Sequence, residues 1–170
     1  GGNGDDTIAA GVGNDTISGG DGDDSIRPDA AGLAGLDYIT VGAGSDTVTG
    51  DWTAEDLVGD TITDFNSDFT DDDIDLIIVE GNNTGDTIVA ALTDKLDIDL
   101  DGTADMHITG TGGKGWFWRY TDVGGDTHID LIQSIFTEFS DSVNLSLYDL
   151  DEIGNAVDAL GGNDIVTLKG

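Results

Sequence analysis

The sequence predicts a mainly β chain: a parallel β-roll, followed by a β-rich, irregular region with little helix. Three observations lead there. A nine-residue unit recurs from the first residue, an aliphatic residue holds a fixed place in that unit, and Asp dominates a chain with almost no positive charge. The roll is expected over residues 1–65, with an interruption near 28–40, and the β-rich region over 66–170.

The repeat is read directly. Gly1-Gly2-Asn3-Gly4-Asp5-Asp6-Thr7-Ile8-Ala9 is followed by Ala10-Gly11-Val12-Gly13-Asn14-Asp15-Thr16-Ile17-Ser18, and then by Gly19-Gly20-Asp21-Gly22-Asp23-Asp24-Ser25-Ile26-Arg27. One further copy, Val41-Gly42-Ala43-Gly44-Ser45-Asp46-Thr47-Val48-Thr49, follows the interruption. Asp stands at the sixth position of each copy and Ile or Val at the eighth. Such a pattern is that of a calcium-binding β-helix repeat.

Its spacing has a physical reason. Glycines admit positive φ and close backbone approach, so the first six residues form a turn whose carbonyls face a common centre. The sixth-position Asp adds a carboxylate to that centre. The remaining three residues make a short strand whose middle side chain points inward, giving a core column of Ile8, Ile17, Ile26 and Val48. Successive turns alternate sides, so one coil takes eighteen residues and Gly1 to Asp6 should face Gly19 to Asp24. Hard oxygen donors at high coordination number select Ca2+ over transition metals. A flexible Gly/Asp linker gives no reason for Asp and Ile to recur in step.

Composition agrees. Lys and Arg total 5 against 36 Asp and Glu, for a formal net charge of −31. Nucleic acid is excluded as a partner, since phosphate contacts need clustered Lys and Arg, and an anionic membrane surface would repel the chain. Self-repulsion of this size destabilises a compact state unless counter-ions neutralise it. Of the acids, only Glu55, Glu80, Glu138 and Glu152 are Glu. The short Asp side chain suits a tight turn around an ion. Cysteine is absent, which removes disulfides and thiolate zinc sites. No apolar run approaches the roughly 18 residues of a membrane span, so membrane insertion is not expected. The chain opens inside a repeat without a basic-then-apolar leader, as a fragment or a processed product would.

These residues resemble the RTX (repeats-in-toxin, haemolysin-type) calcium-binding repeats of bacterial proteins exported by type I secretion. The resemblance is specific over 1–27 and 41–49. It is looser where Gly59-Asp60-Thr61-Ile62-Thr63-Asp64-Phe65 runs into Asp73-Ile74-Asp75-Leu76, a stretch similar to segments that close such arrays. Gly161-Gly162-Asn163-Asp164-Ile165-Val166 resembles a degenerate terminal repeat. The resemblance implies a roll that is disordered at low intracellular Ca2+ and folds outside the cell. It implies carbonyl ligands from the first four turn positions (Gly1, Gly2, Asn3, Gly4; Gly11, Gly13; Gly19, Gly20, Asp21, Gly22; Gly42, Gly44) and carboxylate ligands from Asp6, Asp15, Asp24 and Asp46. Two departures stand out. The turn after Arg27 reads Pro28-Asp29-Ala30-Ala31-Gly32-Leu33, with Leu where Asp is needed, so Asp15 is expected to lack a same-side partner. The ending Leu168-Lys169-Gly170 does not resemble the apolar end of a type I secretion signal.

A second calcium motif lies outside the repeats. Asp97, Asp99, Asp101 and Asp105 occupy positions 1, 3, 5 and 9 of a loop with Gly102 at 6 and Thr103 at 7. That order follows the start of an EF-hand loop, in which position 7 lends a carbonyl. Position 12 is Ile108 rather than Glu, and Leu92, Leu96 and His107-Ile108-Thr109 read as strands, so a β-hairpin-like loop is expected. The acidic run Asp71-Asp72-Asp73-Asp75 is equally compatible with a solvated loop.

Residues 75–80 and 86–92 read as buried strands. Trp116, Trp118 and Tyr120 alternate onto one strand face, which either packs a sheet or stacks on sugar rings. Residues 129–139 fit strand or helix, and Ile153, Ala156, Val157 and Leu160 show helical spacing ending at Gly161. His107 and His128 are the only histidines, with no H-E-x-x-H or G-x-S-x-G motif, so no enzyme is expected. The reading is of an extracellular or cell-surface structural module that binds several calcium ions, each on the order of 10⁻⁴ to 10⁻³ M. It would belong to a surface adhesin, an S-layer-like protein or the C-terminal region of an exoprotein. The alternatives are a glycan-binding adhesion module using Trp116, Trp118 and Tyr120, and a self-assembling filament or layer subunit whose partner is another copy of the chain.

Overall fold

The computed structural model describes residues 1–30, 34–65, 74–82, 84–85, 87–90, 95–109, 116–133, 142–144 and 165–167. Two sheets face each other. The first contains the parallel strands β1 (Thr7–Gly11), β3 (Ser25–Asp29), β5 (Thr47–Asp51) and β7 (Leu76–Glu80). The second contains β2 (Thr16–Asp21), β4 (Tyr38–Ala43), β6 (Thr61–Ile62) and β10 (Met106–Ile108). Consecutive short strands fall in opposite sheets, which is the alternation of a roll.

Register follows the repeat and then departs from it. Thr7 pairs with Ser25 and Ile8 with Ile26, the eighteen-residue coil that the nonapeptide requires. The next same-sheet pairs are Thr16 with Tyr38 and Ile17 with Ile39, so the interruption lengthens one turn without changing sheet or direction. Longer turns follow: Tyr38 pairs with Thr61, and Thr47 with Leu76. Both sheets therefore run on beyond residue 65, through β7 and β10.

Past these strands the pairing turns antiparallel. β12 (Asp126–Gln133) adds to β7, β11 (Trp116–Val123) to β12, and β8 (Thr87–Ala90) to β11. β11 and β12 form a hairpin around Gly124-Gly125, with φ of 71° and 102°; two positive φ values in a two-residue loop are those of a type I′ turn. In the other sheet β9 (Lys95–Leu96) pairs antiparallel with β10. β13 (Ser142–Asn144) and β14 (Ile165–Thr167) form a parallel pair. The strand reading of 75–80 and 86–92 meets β7 and β8, and 129–133 is strand. The helical spacing at 153–160 and the turn at 161–164 fall outside the described residues. Among these there is no α-helix, only a 3-10 turn at Trp52–Ala54, and none long and apolar enough to cross a membrane.

The core is a column, as predicted, and longer than predicted. Ile26, Ile39, Val48, Ile62 and Ile77 are fully buried and Ile17 nearly so. Ile8, on the end strand β1, packs against them only in part. Each full burial of such a side chain is worth about 1.5–3 kcal/mol relative to exposure. Phe65, Leu96, Ile98, Met106, Ile108, Ile129 and Leu131 extend the same cluster. Trp118 and Tyr120 also belong to it, at 3% and 1% exposure. Trp118 lies with its ring centroid 5.7 Å from that of Phe65, and the Tyr120 hydroxyl donates to the Asp97 carbonyl at 2.5 Å. Trp118 and Tyr120 therefore serve packing, and rings sealed in the core present no face to a glycan.

Candidate metal centre

Each six-residue turn leads into its strand through an Asp that is held from the coil next to it. Asp24 Oδ1 accepts the Asp6 N–H at 2.8 Å, Asp46 Oδ1 accepts that of Asp24 at 2.8 Å, and Asp75 Oδ1 that of Asp46 at 3.0 Å. A second ladder runs up the opposite corner. Asp37 Oδ1 accepts the Asp15 N–H at 2.7 Å, and Asp60 Oδ1 accepts that of Asp37 at 2.7 Å. Asp15 does have a same-side partner, contrary to the expectation from Leu33: the longer turn supplies Asp37 in its place. The second ladder stops at β10, where His107 pairs with Thr61, so that Met106 stands level with Asp60.

One oxygen per carboxylate is thus used on backbone, and the second is left over. Asp24, Asp37, Asp46 and Asp60 are at most 3% exposed, and their Oδ2 atoms, with that of Asp15, are buried without a hydrogen-bond partner. An unpaired buried carboxylate oxygen is costly unless a cation or a proton meets it. Burial first, and then the neighbouring carboxylates of Asp75, Asp24 and Asp64, push Asp46 up to about 7. Burial likewise pushes Asp60 up to about 7, with Asp37, Asp29 and Asp56 adding to it.

The glycines keep the space beside these carboxylates open. A Cβ on Gly1 would lie 2.3 Å from the Gly19 carbonyl oxygen and 2.4 Å from Asp6 Oδ2; one on Gly19 would lie 2.0 Å from the Val41 carbonyl oxygen and 2.4 Å from Asp24 Oδ2. The same carbonyl–carboxylate cradle thus recurs one coil further on, open only because position one has no side chain. In the third turn Val41 fills that position and its side chain is in the core. Position two is tight for another reason: Gly20 and Gly42 have φ of 129° and 115°, and a Cβ there would meet the carbonyl of the turn beneath at 2.1 and 2.0 Å. Gly4, Gly11, Gly13, Gly22 and Gly44 also take positive φ, Asn3 bridges to Asp21, and Gly2 accepts from the Asp21 N–H at 2.9 Å. Mixed carbonyl and carboxylate oxygens of this kind fit Ca2+. Asp6 and Asp24, with the carbonyls of Gly19 and Val41, are the residues that would hold it in the first ladder.

The loop between β9 and β10 forms a separate group. Carboxylate oxygens of Asp97, Asp99 and Asp105 all lie within 4.8 Å of one another. Leu100 and Gly102 turn the chain with φ of 60° and 93°. Asp97 accepts from the N–H of Gly102 at 2.8 Å and Asp99 from that of Asp101 at 3.1 Å. Asp105 accepts from Ile98 at 2.6 Å and is raised above the usual carboxylate range, chiefly by burial. Asp101 does not join this trio; its carboxylate accepts from the Thr103 N–H at 2.7 Å. His107, beside the loop, points outward from β10.

Asp37, Asp60 and Asp75 are the ladder members that the nine-residue period misses. A shorter signal finds them: Asp37-Tyr38-Ile39, Asp60-Thr61-Ile62 and Asp75-Leu76-Ile77 keep the Asp-x-Ile step of Asp6-Thr7-Ile8.

The RTX calcium-binding nonapeptide repeat family matches residues 1–31 and 31–61. Neither the comparison with curated proteins nor that with solved structures yields a match. The stacked turns and the Asp ladders with spare buried oxygens agree with this match, which makes residues 1–61 similar to RTX calcium-binding nonapeptide repeats.

Proposed function

We propose that the chain is a calcium-dependent folding module of a secreted bacterial protein, structural rather than catalytic, acting outside the cell as part of a surface adhesin, a layer protein or an exoprotein. The observation that carries the reading is the set of buried Asp Oδ2 atoms without partners. A fold that buries such charge is stable only when cations are supplied, and binding to the folded state alone couples metal to folding. Extracellular millimolar Ca2+ meets that need. Cytosolic Ca2+ does not, and a chain kept unfolded inside the cell suits export. Limited proteolysis of the full chain tests this. Digestion to small fragments in EDTA and resistance in millimolar Ca2+ support the reading; equal resistance in both contradicts it.

A further inference from the structure

The lengthened turns do more than bridge a gap in the repeat. Asp29 stands in β3 level with Gly11, the second turn position, which is glycine at Gly2, Gly20 and Gly42. Its side chain is 1% exposed. One carboxylate oxygen accepts the Gly35 N–H at 2.7 Å, and the other, Oδ1, is buried without a partner. Asp37 and Asp60, at 3% and 0% exposure, each carry a buried Oδ2 in the same condition. Carboxylate oxygens of Asp29, Asp37 and Asp60 all lie within 4.8 Å of one another. Two oxygens bound to one Ca2+ at 2.3–2.6 Å are at most about 5 Å apart, so the three meet the distance condition for a shared ion.

A fourth carboxylate stands beside them. Asp56, in the next lengthened turn, is 1% exposed and has a buried Oδ1 without a partner. It acts electrostatically on both Asp29 and Asp60. Arg27 lies 3.6 Å from its other oxygen but also pairs with Glu80. One shared guanidinium does not balance four buried carboxylates.

We infer that Asp29, Asp37 and Asp60, with Asp56 beside them, form a buried Ca2+ site of a second kind, held by side-chain carboxylates and filled before the Gly-Asp turns. The turn cradles at Gly1 and Gly19 pair one carboxylate with one carbonyl, whereas here three converge. Affinity for Ca2+ rises with ligand charge and rigidity. The interruption of the repeat thus creates a site instead of removing one. The inference rests on the calcium reading for the choice of ion.

Calorimetric titration of the EDTA-stripped full chain with CaCl2 tests it, comparing Asp29→Asn and Asp56→Asn with Asp24→Asn. The wild type should show a tight phase at about ten-fold or more lower free Ca2+ than the rest. Asp29→Asn, which keeps an acceptor for the Gly35 N–H, should abolish that phase and Asp56→Asn should weaken it. Asp24→Asn should leave it intact and diminish the weaker phase. Circular dichroism in saturating Ca2+ guards against simple misfolding: Asp29→Asn, whose remaining sites still fill, should reach the wild-type β signal, but at a higher free Ca2+ midpoint. Ca2+ binding in which Asp29→Asn titrates like wild type, or fails to reach the wild-type β signal in saturating Ca2+, overturns this inference and leaves the calcium reading standing. No Ca2+ binding at all overturns both.

Discussion

Asp37 Oδ1 accepts the backbone N–H of Asp15 at 2.7 Å across a sequence separation of 22 residues, the same contact that Asp24 makes to Asp6 across 18. The contact survives a change of spacing because the ladder is set by the Asp-x-Ile step leading into each strand, and the turn between adapts. Asp37→Ala should therefore cost about 1.5–3 kcal/mol in saturating Ca2+, the range for a hydrogen bond to a charged group. Asp37→Asn, which keeps an acceptor, should cost less. Urea unfolding in excess Ca2+ measures both, and equal losses would argue against a ladder role.

The cradle at Gly19 makes a second prediction. A methyl group there would sit 2.0 Å from the Val41 carbonyl oxygen and 2.4 Å from Asp24 Oδ2, inside the carbonyl–carboxylate cradle. Gly19→Ala should lower the number of ions bound by one in equilibrium dialysis. An unchanged stoichiometry would place the ion elsewhere.

The pH dependence of the metal-free chain has a definite sign. Asp46 and Asp60 lie at about 7 in the fold, against an ordinary 3.8. The folded state therefore holds more protons than the unfolded state between those values, and stability falls as pH rises through that window. The groups facing them are also acids: Asp24, Asp64 and Asp75 at Asp46, and Asp29, Asp37 and Asp56 at Asp60. In EDTA, where no cation meets these carboxylates, protons should take that part and the far-UV β signal should be greater at pH 5 than at pH 8. In limiting Ca2+ the trend should reverse, since protons compete with the ion. A flat profile in EDTA would mean that these carboxylates are not buried together.

Ile26 is the middle of the column and fully buried. Ile26→Ala should lower stability by about 2–5 kcal/mol, read as a shifted urea midpoint in saturating Ca2+. A loss under 1 kcal/mol would show that the roll is held by ions with little help from its core.

Much of this was legible in the residues, and particular features explain what was not. Ile8, Ile17, Ile26 and Val48 announce the column because a three-residue strand leaves one inward position. Asp37, Asp60 and Asp75 escaped the repeat because turns of unequal length break its period, while the Asp-x-Ile step persists. Asp29 and Asp56 were not legible at all. Nothing local distinguishes a carboxylate turned into the roll from one in solvent; only the stacking of Pro28-Asp29 over Ala10-Gly11 brings Asp29 to Asp37 and Asp60. Trp118 and Tyr120 read more readily as packing than as a platform, since alternation fixes a shared face and most such faces pack a sheet. The Asp97 loop was legible as a hairpin, yet its order alone did not show that Asp101 bonds to Thr103 and stands apart from Asp97, Asp99 and Asp105.

The central claim is that buried Asp ladders make folding conditional on calcium, and far-UV circular dichroism of the EDTA-stripped chain during a Ca2+ titration, with Mg2+ as control, tests it most directly. A cooperative gain of β signal as Ca2+ approaches millimolar, absent with Mg2+, is the predicted result. A β spectrum already complete in EDTA and unchanged by Ca2+ would contradict the account.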